Sequence, residues 1–260
     1  MTGSLLWTSP PTPAVLSAGE VHVWLADEIG EHNRYPRGNH LATISLDERV
    51  RADRFYFAND RERYVAARAL LRVLVGRYLG TPPSDVRFDY GWHGKPSLPK
   101  PEGGTRDLRF NVSHSGGLVL LAFAWGRELG IDIECERPMA DWKGIAATCF
   151  SIHERAKLER LSPAERDHVF FKYWTRKEAF IKATGDGLSA QLDRLDVSLA
   201  PGAPARILDV GQTDEMKRWW LEDLYPAAGF AAAIATEGQP TRITCWRYGN
   251  PPEVSRDPSS

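Results

Sequence analysis

At 260 residues, against roughly 150 for a typical domain, the chain has the length of one large domain or two small lobes. Lys and Arg total 33 against 34 Asp and Glu, a net charge of −1 that excludes the basic balance of a protein gripping long nucleic acid by its phosphates. Hydrophobic residues at 42% and charged residues at 26% match ordinary soluble chains and exclude wholesale disorder.

Residues 1–18 are rich in Pro, Ser and Gly and lack the basic start and long apolar stretch of a secretory signal, so a tail on a cytoplasmic protein is expected. A strand follows at 21–25. Apolar residues at helical spacing (Val65, Ala69, Leu70, Val73, Leu74) predict a long helix over 60–79. Repeated Pro and Gly over 81–106 predict an extended loop. Leu108, Phe110 and Val112 alternate in a strand over 108–114, and Ser115-Gly116-Gly117 turns it into a buried strand over 118–125. Further strands are expected at 129–134, 195–199 and 229–236, a second long helix at 166–184, and a tail at 247–260. The longest apolar runs, 118–125 and 227–235, fall far short of the ~18 residues a membrane-spanning helix needs. Cys135, Cys149 and Cys245 form no C-x-x-C pair, which points to reduced thiols rather than a disulfide framework or a zinc site.

The second half repeats the order of the first. Ser45-Leu-Asp-Glu48-Arg49 matches Ser151-Ile-His-Glu154-Arg155, each followed by a charged connector and a long helix. Strands 195–199 and 229–236 then stand where the first half has 108–114 and 118–125. This pattern predicts two lobes of similar build related by a duplication, an N-terminal lobe over 19–127 and a C-terminal lobe over 128–246.

Strand alternation puts Asp132 and Glu134 on one face and Ile131 and Ile133 on the other. Two adjacent carboxylates either coat a solvated face or hold a hard divalent cation. Glu178 and Lys182 sit together on the second long helix, as a plain stabilising pair or as site residues. Lys177 falls within the apolar stripe, where a charge must be paired or reach for water. Ser113 and His114 end a strand beside glycines, a turn that suits either a polar hairpin or a phosphate contact, and Lys95 lies on a Gly/Pro loop. Adjacent strand residues face opposite ways, which argues against a nucleophile and base pair at 113 and 114. The arginines of 49–72 alternate with acids, as a salt-bridged solvated face does.

Taken in order, Gly94-Lys95-Pro96, Phe110-Asn111-Val112-Ser113-His114-Ser115, Gly130-Ile131-Asp132-Ile133-Glu134 and Trp174-Thr-Arg-Lys177-Glu178-Ala-Phe-Ile-Lys182 resemble the 4'-phosphopantetheinyl transferases of the long, single-chain, Sfp-like class. The resemblance spans about residues 45–200 and includes Arg51-Ala-Asp-Arg54-Phe55-Tyr56. It implies transfer of the 4'-phosphopantetheine arm of coenzyme A to a serine of an apo acyl or peptidyl carrier protein, with Mg²⁺, in secondary metabolite biosynthesis. By the same resemblance, Asp132, Glu134 and Glu178 would hold Mg²⁺, and Glu178 would serve as base. Lys182 would meet the α-phosphate, Ser113 and His114 would grip the nucleotide phosphates, and Lys95, Arg51 and Arg63 would surround the 3'-phosphate. Glu48 departs from a position where the family often has lysine. The resemblance implies an α+β fold of two similar lobes with pseudo-two-fold symmetry and the active site in the cleft between them, in a monomer without nucleic-acid or membrane partners. A non-catalytic module that binds carrier proteins and a metal-dependent phosphohydrolase are the alternatives.

Overall fold

The computed structural model describes residues 5–12, 14–27, 40–91, 95–100, 107–185, 192–198, 207–209 and 218–249. In chain order these form β1 (Trp7–Thr8), β2 (Glu20–Asp27), α1 (His40–Thr43), α2 (Leu46–Ala52), α3 (Ala58–Leu79), β3 (Asp89–Tyr90), β4 (Pro96–Ser97), β5 (Leu108–Ser115), β6 (Leu118–Trp125) and β7 (Leu129–Cys135). Then come α4 (Trp142–Cys149), α5 (Ile152–Leu158), α6 (Pro163–Thr184), β8 (Leu195–Val197), β9 (Ile207–Asp209), β10 (Trp219–Leu224), β11 (Phe230–Glu237) and β12 (Arg242–Arg247). None of these helices is long and apolar enough to cross a membrane.

Two sheets carry the fold, one ordered β1-β12-β2-β6-β5 and the other β10-β11-β7. Their facing sides share one apolar core, with Val21, Val23, Leu25, Leu120 and Ala122 from the first sheet meeting Ile131, Ile133, Ala232 and Ile234 from the second. The outer face of the first sheet packs Trp24, Phe110, Val119 and Phe123 against Leu70, Leu71 and Leu74 of α3. Ala231, Ala233 and Ala235 of the second sheet pack against Phe180 and Ala183 of α6. The small alanines let that helix lie close to its sheet. The resulting order is helix, sheet, sheet, helix.

The duplication is visible in the paired elements. Both α3 and α6 have 22 residues, and their bounds (58 and 79, 163 and 184) differ by 105 at each end. Each stops at a left-handed glycine, Gly80 at φ 66° and Gly185 at φ 79°. Glu48 accepts from the Ser45 N–H at 2.9 Å and Glu154 from the Ser151 N–H at 2.8 Å, so the two matching motifs are the starts of α2 and α5. The hairpin between β5 and β6 turns at Gly116 and Gly117, with φ 57° and 86°, the pair of positive angles that a two-residue turn requires.

Several expectations are corrected. Helix α6 begins three residues earlier than predicted, because Pro163 opens it and Glu165 folds back onto Ser162. The second-lobe counterpart of β5 is β10, not 195–199: β10 pairs with β11 as β5 pairs with β6, while Leu195–Val197 pairs with Ile207–Asp209. Residues 242–247 lie inside the span assigned to the C-terminal lobe, yet β12 runs parallel to β2 in the first sheet. The described part of 1–18 is no loose tail. β1 pairs with β12, Ala14 and Leu16 are buried, and the Trp125 indole donates to the Leu16 carbonyl at 2.9 Å. Arg247 closes β12, and the Tyr248 ring packs against the first core, so the described start of the C-terminal tail is fixed as well. The loop 81–106 holds a 3-10 turn (Pro83–Asp85) and the small β3–β4 pair; Gly94 and residues 101–106 lie outside the described residues.

Candidate functional site

β5 is the last strand of one sheet and β7 of the other, and side chains rather than backbone join them. Asn111 Oδ1 accepts from the Ile131 N–H at 3.0 Å, Ser113 Oγ from the Ile133 N–H at 3.4 Å, and Ser115 Oγ from the Cys135 N–H at 3.1 Å. Each rung spans 20 residues and each step advances by two along both strands. The polar stripe at 111, 113 and 115 thereby satisfies N–H groups that would otherwise be buried without partners.

The same stripe holds the carboxylates. Ser113 Oγ donates to Asp132 Oδ1 at 2.8 Å, and Ser115 Oγ donates to Glu134 Oε2 at 2.8 Å. From α6, Lys182 Nζ donates to Asp132 Oδ1 at 2.6 Å and to Ser113 Oγ at 3.0 Å. One donated and two accepted bonds use the Ser113 hydroxyl completely. Glycine at 130 makes this approach feasible: a Cβ there would come within 2.1 Å of the Ala179 carbonyl and 2.4 Å of the Ala183 nitrogen. α6 therefore rests directly on β7, with Glu178 and Lys182 over Asp132.

Burial raises the Asp132 pKa, opposed by the Lys182 ammonium and the Ser113 hydroxyl. Its second oxygen, Oδ2, is buried without a hydrogen-bond partner. Burial is also the main reason the Glu178 pKa rises; the negative charges of Asp132 and Glu134 add to it and Lys182 opposes it. Three carboxylates with an orphaned oxygen fit a hard divalent cation in donor chemistry. Among the described residues, however, no three His, Cys, Asp or Glu side chains stand gathered as a ready-made ligand cluster. The Lys182 ammonium is the cation on Asp132 in this arrangement.

Lys95 reaches the same end of α6, where its ammonium donates to the Lys182 carbonyl. It lines a cleft of about 390 Å³ together with Arg109, Glu128, Leu129 and Gly185. Burial lowers its pKa, countered by Glu128. Ser113 and His114, expected to grip phosphates together, are separated by the strand: Ser113 is buried in the seam and His114 is exposed. Arg51 and Arg63 are placed elsewhere, on the N-terminal helices. Arg51 stacks 5.8 Å from the Tyr64 ring and lines a larger cleft of about 950 Å³ with Leu46, Val50, Arg54 and Phe55, and Arg63 lies 3.8 Å from Asp60.

Two charged positions prove structural. Glu48 is fully buried and accepts from Arg68 and Arg72, each at 2.6 Å. Its counterpart Glu154 receives Lys177 at 2.5 Å, and that ammonium also donates to the carbonyls of Cys149 and Leu192. The positions that sequence reasoning left without a role are Asn111, Ser115 and Gly130. An alternating polar stripe on an otherwise buried strand was the signal for the first two.

Comparison with known proteins points to one family. Residues 128–235 match the family model described as the 4'-phosphopantetheinyl transferase superfamily, and residues 38–125 match the one described as 4'-phosphopantetheinyl transferase, N-terminal. The chain is 38% identical over 244 residues to the 4'-phosphopantetheinyl transferase HetI of Nostoc sp., covering 93% of this chain and 98% of that protein. It is 36% identical over 159 residues to the 4'-phosphopantetheinyl transferase Sfp of Bacillus subtilis (strain 168), covering 61% and 68%. Among solved structures, the holo-(acyl-carrier-protein) synthase of Bacillus anthracis str. Ames aligns with 42% of this chain and 93% of its own, at 19% identity and a TM-score of 0.35.

Proposed function

The chain belongs to the 4'-phosphopantetheinyl transferase family, and from that premise we propose that it moves the 4'-phosphopantetheine arm of coenzyme A onto a serine of an apo acyl or peptidyl carrier protein. The serine oxygen bonds to the phosphorus that carries the pantetheine arm. The bond from that phosphorus to the bridging oxygen breaks, and adenosine 3',5'-bisphosphate leaves with the bridging oxygen. The proton of the serine hydroxyl goes to a base.

The observation that carries this reading is the Lys182–Asp132 contact of α6 with β7 at 2.6 Å, with Glu134 two residues along the same strand and Glu178 one turn before Lys182, close enough for the charges of Asp132 and Glu134 to act on it. A diphosphate repels an incoming nucleophile until positive charge is spread over its oxygens. Lys182, released from Asp132, supplies such a charge at the α-phosphate. Asp132, Glu134 and Glu178 would hold Mg²⁺, which supplies further neutralisation of the diphosphate when bound. A carboxylate whose proton affinity is raised by burial and by like charge is a better base, and this favours Glu178 for the serine proton, taken directly or through a water. Lys95, Ser113, His114, Arg51 and Arg63 are the proposed nucleotide contacts; of these, Lys95 stands beside the end of α6 and Ser113 lies in the seam, whereas Arg51 and Arg63 lie apart from it on α2 and α3. The duplication supplies two lobes within one chain, which supports a monomer, and the reduced cysteines support a cytoplasmic setting.

The test is stoichiometry. With Mg²⁺ and coenzyme A, adenosine 3',5'-bisphosphate should appear one for one with modified carrier. Free phosphopantetheine released without any carrier would instead identify a phosphohydrolase, and carrier binding without modification a docking module.

A further inference from the structure

We propose that Ser115 is a positioning residue for Glu134, setting which carboxylate oxygen is left for the metal. This rests on the reading that Glu134 holds Mg²⁺. The seam has three side-chain rungs, at Asn111, Ser113 and Ser115, and each satisfies one N–H of β7. The residue one before the N–H that Asn111 accepts is Gly130, which has no carboxylate, whereas each serine donates to the acid at the corresponding place. Ser113 is also held by Lys182, whereas among the described residues Glu134 has no lysine at hydrogen-bond distance, and Arg137 is 3.9 Å away. The Ser115 hydroxyl therefore fixes the rotamer of Glu134. By occupying Oε2, it leaves Oε1 as the freer oxygen. Such outer hydrogen bonds orient ligands and are worth roughly 10- to 100-fold in metal affinity.

The same serine also accepts from Cys135, so a purely structural role must be separated from positioning. Asn111 is the internal control: it makes the same kind of rung to Ile131 and touches no carboxylate. Mn²⁺ is titrated into the full chain with coenzyme A present and no carrier, and free Mn²⁺ is followed by electron paramagnetic resonance. Ser115→Ala should weaken Mn²⁺ binding about 10-fold, and its turnover should recover as Mg²⁺ is raised. Ser115→Thr, which keeps the hydroxyl, should bind as the parent does. Asn111→Ala should melt at lower temperature with unchanged Mn²⁺ affinity; should that variant not fold, the two Ser115 variants decide alone. Parent-like Mn²⁺ affinity in Ser115→Ala would overturn the positioning role while leaving the metal reading intact. A parent chain that binds no Mn²⁺ would remove the metal reading and this inference together.

Discussion

Lys182 and Asp132, 50 residues apart in the chain, meet at 2.6 Å across the interface of α6 and β7, with Asp132 almost wholly buried. The pair locks the late helix onto the acidic strand. In the proposed reaction Lys182 must exchange Asp132 for a phosphate oxygen. Asp132→Asn should therefore cut carrier modification by roughly 100-fold, because it removes a proposed metal ligand. Removing one partner of a buried pair also destabilises the fold, by about 3 kcal/mol, so activity and melting temperature should be measured side by side. An Asp132→Asn protein with parent-like turnover would exclude the carboxylate from the site.

Gly130 controls how close α6 can come. A methyl group there would overlap the backbone of Ala179 and Ala183, which cannot move without shifting the helix. Gly130→Ala is expected to cost about 3 kcal/mol and to separate Lys182 from Asp132. Urea unfolding and turnover should both decline; loss of neither would mean that the close helix contact is unimportant.

Lys177 and Glu154 are a buried ion pair, each 1% exposed. Lys177→Met leaves a buried carboxylate without its cation and should destabilise by about 3–5 kcal/mol. Pairing it with Glu154→Gln should return part of that loss, since the uncompensated charge is gone. A denaturant double-mutant cycle reads the difference, and additive losses would show that the two groups do not interact.

His22 gives a pH dependence of known sign. It lies between Tyr78, whose hydroxyl is 2.8 Å from Nδ1, and Trp246, with Glu20 and Arg242 nearby. Burial lowers its pKa to about 4, with Glu20 opposing the shift. The unfolded chain takes up a proton near the ordinary value of about 6.5 and the folded chain does not until about 4. The His22 contribution to stability is therefore present above about 6.5 and declines as pH falls toward 4, by about 3 kcal/mol. Comparison of the parent with His22→Gln by thermal unfolding from pH 7 to pH 4 should show a shallower decline in the variant. Parallel declines would remove His22 from the account.

The site was legible where its periodicity is short. A period of two placed Asp132 and Glu134 on one face and Ile131 and Ile133 on the other, and the structure puts the isoleucines in the core between the sheets. The apolar stripe located both long helices, and the odd position of Lys177 announced a buried partner, although only the fold names it as Glu154. Long-range pairing was not legible. β12 joins β2 in parallel across more than 200 residues, and no local pattern encodes that register. Glu48 looked like a lost nucleotide contact because its partners, Arg68 and Arg72, lie a helix away. Ser113 read as a polar hairpin or a phosphate contact and Ser115 as a turn residue, since a hydroxyl does not reveal from sequence whether it serves a ligand, a neighbouring strand or a carboxylate.

The most direct test is the mass of an apo carrier protein after incubation with Mg²⁺, coenzyme A and either the parent chain or Glu178→Gln. The parent should add one phosphopantetheine to the carrier, while the variant, folded to the same melting temperature, should add none on the same timescale. An unmodified carrier with the parent across a panel of apo carriers, or equal gain with the variant, would contradict the role of the seam in transfer.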